Sequence, residues 1–153
     1  MTISRRTVFI YLICLLFIGI LHHVDHILRY DHSGWPFRPE VTAFTFSLLV
    51  YPIIFSLFRS KNKIYRVCVS LLLALLIISA HIFLETPADE FHTWAQNSST
   101  FASSLGHPNL LNVRSSILGA ISTIIAMLLN VGIIFLPFIF WKADQTPPKA
   151  YKN

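Results

Sequence analysis

The chain has 153 residues, 54% of them hydrophobic and 12% charged, about half the charged share of an ordinary soluble domain. This excludes a multidomain soluble enzyme and fits one membrane domain, because helices in lipid need no large water-excluding core. The net charge of +5 sits in short basic clusters between apolar runs rather than along one stripe, which argues for no nucleic-acid partner and reads as a topology signal.

The first apolar segment covers 7–28. Its strictly apolar part, 8–21, is short for a span, and the turns through Leu28 bring it to full length. Arg5 and Arg6 ahead of an apolar run resemble a signal peptide, but His22 and His23 stand where a small-residue cleavage site would fall, so a retained helix is expected. An outward loop over 29–40, rich in turn-formers (Asp31, Ser33, Gly34, Pro36, Pro39), leads to a second segment over 41–58, in which Pro52 is expected to produce a kink. The third segment, 64–85, has no charge between Arg66 and Glu85.

A second outward loop, 86–112, is long for a connection, and its stretch 89–95 can form a short interfacial helix. It also holds the sequon Asn97-Ser98-Ser99, which matters only in a eukaryotic secretory context. The fourth segment covers 113–141, with Asn112 as the expected N-cap and Pro137 near its far end. Gly119, Ala120 and Ser122 give it a small-residue side for close packing, and Asn130 is expected to bond to a neighbour. The polar tail 146–153 is expected to be disordered. Cys14 and Cys68 lie inside apolar runs without a CxxC and read as small core residues. Trp35, Trp94 and Trp141 stand at segment ends, where indole rings favour the headgroup region. The expected fold is an all-α bundle of four transmembrane helices in one domain.

Lys and Arg counts set the orientation. Arg5, Arg6, Arg59, Lys61, Lys63, Arg66, Lys142, Lys149 and Lys152 fall on one side of a four-span arrangement, against Arg29, Arg38 and Arg114 on the other. Both termini are therefore expected in the cytoplasm, in a plasma or bacterial inner membrane. That arrangement sends His22, His23, His26, His32, His92 and His107 outward, although none of them was used to orient the chain.

The first segment ends in Leu21-His22-His23-Val24-Asp25-His26-Ile27-Leu28-Arg29, a costly density of ionisable groups for the last turns of a span. On a helix, His22, Asp25, His26 and Arg29 share one face and His23 turns aside. His22 and His26 form an i, i+4 pair able to offer two imidazole nitrogens to one ion. His81 and Glu85 repeat that spacing on the third segment at the same depth. The expected metal ligands are therefore His22, His26, His81, Glu85 and Asp25, with a divalent transition metal, zinc foremost, as the ion. Haem held by two histidines of facing helices is the alternative cofactor. Asp25 and Glu85 are the candidate catalytic residues, each a possible general base for metal-dependent hydrolysis of a lipid-like substrate.

A bland reading stands beside this one: interfacial histidines and an Asp25–Arg29 ion pair with no metal at all. The competing class is an accessory subunit that packs on a larger membrane protein or on a second copy of itself. No HExxH, Walker loop or GxSxG is present to narrow the chemistry.

Overall fold

The structure, a computed structural model, describes residues 2–29, 47–100 and 104–143. It is all-helical, with no strand among the described residues. Its elements are α1 (Arg5–Leu28), α2 (Val50–Arg59), α3 (Lys63–Phe83), α4 (Pro87–Gln96) and α5 (Ser116–Lys142).

Each long helix starts where the sequence supplies a side chain to satisfy the free N–H groups of a first turn. Ser4 Oγ accepts from Thr7 N–H at 3.1 Å, Asn62 Oδ1 from Tyr65 N–H at 3.0 Å, and Ser115 Oγ from Leu118 N–H at 3.2 Å. The cap of α5 is therefore Ser115 and not the expected Asn112. Asn112 takes a left-handed backbone (φ 51°) that no N-terminal cap adopts, and helix formation waits for the next hydroxyl. The third helix stops at Phe83, short of Glu85. Thr86 and Asp89 form a reciprocal capping box, with Pro87 in the first turn, and α4 begins there as a separate helix.

The expected second helix is described from residue 47, as a short 3₁₀ turn running into α2. Pro52 lies in the first α-helical turn, where a missing backbone N–H is tolerated. The start of that helix (41–46), the loop beyond Arg29 with Asp31, His32, Trp35 and Arg38, and the tail 146–153 lie outside the described residues.

α1, α3 and α5 are long and apolar enough to cross a membrane, and the chain reads as an integral membrane protein. The surface agrees, since large side chains such as Phe17, Leu75, Leu76, Ile124 and Phe135 are more than half or nearly half exposed along these helices. An apolar surface this extensive suits lipid rather than water.

α5 is the central helix and packs against α1, α3 and α4, while α2 packs on α3 and α1. Its buried residues, Gly119, Ser122, Ala126, Leu129, Ile133, Leu136 and Phe140, repeat at alternating spacings of three and four and make one continuous seam. α1 carries the same spacing in Val8, Leu12, Leu15, Gly19, His22 and His26. Asn130, expected to bond to a neighbour, has a buried side-chain oxygen with no partner among the described residues.

The ends are unlike each other. At one, Ile3 N–H donates to Lys142 O at 2.8 Å, so the start of α1 lies beside the end of α5. Arg66 stacks over Phe140 at 4.5 Å, Lys63 over Trp141 at 4.0 Å and Arg5 over Phe58 at 5.2 Å, which gathers the basic residues there. At the other end, the packing seams of α1 and α3 terminate in ionisable residues.

Candidate metal centre

His22 and His26 occupy the last two seam positions of α1, and this is why they are buried, at 3% and 4% exposure, rather than in the headgroup region. His81 closes the facing seam of α3, one turn after Ile77. The Nε2 atoms of His22 and His26 stand 2.8 Å apart, and those of His22 and His81 3.0 Å apart. One ligand atom from each of the three lies within 4.8 Å of the other two, so the trio can hold a metal ion.

The tautomer of His81 suits that role. His81 Nδ1 lies 2.8 Å from the Ile77 carbonyl, which can only accept, so the proton sits on Nδ1 and the lone pair of Nε2 faces the trio. His26 Nδ1 lies 3.4 Å from Glu85 Oε2 and 3.0 Å from Arg29 Nη2. His22 Nδ1 is buried without a hydrogen-bond partner among the described residues.

Behind the imidazoles lies a buried polar layer organised by Arg29, which is 1% exposed. Its guanidinium donates to Asp25 Oδ2 at 2.6 Å and to Glu85 Oε1, and lies 3.9 Å from Glu90 Oε1. Asp25 is further held by Trp94 Nε1–H (2.8 Å, to Oδ1) and Ser122 Oγ–H (2.6 Å, to Oδ2). One carboxylate thereby ties together α1, α4 and α5. The loop after α4 completes the end, with Leu110 N–H capping the Leu28 carbonyl of α1 at 2.8 Å.

Of the sequence-expected ligands, the structure brings His22, His26 and His81 together. Glu85 lies beside them on His26 and Arg29, and Asp25 faces Arg29, Trp94 and Ser122. His23 turns aside as expected, with its Nδ1 2.7 Å from Tyr51 Oη and its Nε2 3.0 Å from Ser47 Oγ, both on the α2 side. His92 pairs with Gln96 at 3.0 Å on the outer face of α4, and His107 is exposed in the following loop.

Three contributors escape a reading of the sequence alone. Trp94, expected as a membrane anchor, is instead 3% exposed, because its indole N–H is committed to Asp25. Glu90 is fully buried and Ser122 is a hydrogen-bond donor as well as a small packing residue. The signal that places Glu90 and Trp94 is Thr86-Pro87-Ala88-Asp89, a helix start that puts both on the inner face one turn apart. Asp89 itself works outside the site. Partial burial raises its carboxyl, but hydrogen bonds from Thr100 and from the Thr86 hydroxyl and N–H outweigh that and hold it below the ordinary aspartate value. No protein-family model, no curated protein and no solved structure matches this chain.

Proposed function

We propose that this chain is a four-span membrane protein whose histidine trio, at the non-cytoplasmic face, binds one divalent transition metal, zinc foremost. The observation that carries the reading is the meeting of three Nε2 atoms from two helices with the lone pair of His81 already turned inward. Nitrogens bound at about 2.0–2.1 Å to one ion stand about 2.9–3.4 Å apart along the edges of its coordination shell. The 2.8 and 3.0 Å separations fit such edges. Two axial haem ligands would stand about 4 Å apart across the iron, which favours an ion over haem.

The acidic company supports the same reading: Asp25, Glu85 and Glu90 gather on Arg29 beside the trio, and Glu85 also reaches His26.

Ile3 lying beside Ala143 supports an even number of crossings, and the apolar sequence over 41–58, of which α2 is the described part, is the proposed fourth span. The basic cluster at that end supports a cytoplasmic assignment for it, and with it an outward-facing trio.

A bound ion of this kind polarises a carbonyl or lowers the pKa of water. Of the two candidate general bases, Glu85 is the better placed, because it faces the same cavity as the histidines. Asp25, engaged by three donors, acts as a positioning group.

Elemental analysis of the detergent-purified protein tests the metal reading. About one equivalent of metal is expected in the native chain, and loss of most of it in His22→Ala, His26→Ala. Absence of stoichiometric metal from both would end it, and a larger membrane protein co-purifying equally with both would support an accessory role instead.

A further inference from the structure

A cavity of about 190 Å³ lies among α1, α2, α3 and α5, and its two ends differ in chemistry. His22, His23, His26, Ser47, His81 and Glu85 line one end. Below them the wall is apolar, formed by Leu12, Leu16, Ile54, Phe58, Leu129 and Ile133. The lining extends along α1 from His26 to Phe9, about 26 Å of helix at the usual rise. Phe9, Ile13 and Phe55, which also line it, are 48–59% exposed on the apolar outer surface, so the space borders the region where lipid would lie.

Water has no partners in the lower part, and an apolar cavity of about 150 Å³ stays dry yet takes up a hydrocarbon. A long, narrow, apolar space that ends in imidazoles and a carboxylate matches an amphiphile, with its tail below and its polar head at the trio. The enclosed volume suits part of one acyl chain, with the rest lying against the exposed Phe9, Ile13 and Phe55.

We infer that this cavity binds the hydrocarbon tail of a single-chain acyl amphiphile and brings its oxygen-bearing head to the histidine trio. Gly19 stands where the apolar part meets the polar end. A Cβ there would lie 3.1 Å from the Tyr51 ring and hydroxyl, so the missing side chain lets Tyr51 cross beside α1 and bond to His23. The inference rests on the metal reading for the role of the head, while the tail site stands on the cavity alone.

The test uses the full chain in lipid nanodiscs, with hexadecanoic acid carrying a photoreactive diazirine near its tail end as the probe. Saturable cross-linking is expected on the α1 and α2 residues of the lower cavity, competed by unlabelled hexadecanoic acid. Ile54→Trp and, separately, Leu16→Trp fill the space from partly exposed positions and are expected to weaken labelling about tenfold. Metal content is measured on the same samples. Labelling that is not saturable, or that both tryptophan variants leave unchanged while retaining metal, would overturn the tail site. A native protein that labels saturably in the cavity but contains no metal would confirm the tail site and refute the metal reading.

Discussion

Arg29 decides the state of the polar end. Its guanidinium is almost wholly buried, and Asp25, Glu85 and Glu90 all lie within 4 Å of it. Replacing one partner in a buried ion network leaves the others uncompensated, a loss of about 3–5 kcal/mol. Arg29→Met is therefore expected to lower stability on that scale, measured by denaturant unfolding in mixed micelles, with Arg29→Lys recovering part of it. An unchanged midpoint in Arg29→Met would mean that the carboxylates are not held by this residue. At this scale the sequence was informative about direction but not about partners. Spacing alone puts His22, Asp25, His26 and Arg29 on one face, and the structure buries all four. Spacing along one helix cannot reveal that Trp94 and Ser122, 69 and 97 residues away, donate to Asp25.

Helices are legible where composition and local hydrogen bonding act together, and less so at their ends. The long apolar cores of α1, α3 and α5 follow from hydropathy, while the ends shift to whichever hydroxyl or amide can cap them, as with Ser115 in place of Asn112. The expected interfacial helix over 89–95 exists as α4, Pro87–Gln96, but it is docked on α5 rather than lying free. The docking depends on Gly119. A Cβ at that position would come within 2.8 Å of the Phe91 carbonyl oxygen, which is backbone and cannot rotate away. Gly119→Ala is expected to cost about 1–3 kcal/mol by overpacking, whereas Ala120→Val on the exposed face should stay within about 0.5 kcal/mol. Thermal unfolding of both variants in detergent checks the contrast, and equal melting temperatures would show that the α4–α5 contact is not tight.

Across the whole molecule, the polarity is that of a bundle in lipid. Apolar side chains cover its flanks, a basic cluster sits at one end, and a buried layer of histidines, carboxylates and one arginine closes the other. Among the described residues, the grouping of Arg5, Lys63 and Arg66 at one end agrees with the Lys and Arg counts. What spacing could not supply was the convergence of α1 and α3, because it depends on both packing beside α5. Each element has a reason at that end: the seams deliver the imidazoles, Arg29 gathers the carboxylates, α4 and its loop cover them, and the cavity opens toward the trio from below.

The most direct test of the centre is X-ray absorption at the zinc edge on the full chain, purified in detergent and loaded with one equivalent of zinc. A shell containing three imidazole nitrogens at about 2.0–2.1 Å is expected, falling to at most one imidazole in His22→Ala, His26→Ala. A native spectrum of water oxygens alone, or one that the double variant leaves unchanged, would contradict a metal centre built from His22, His26 and His81.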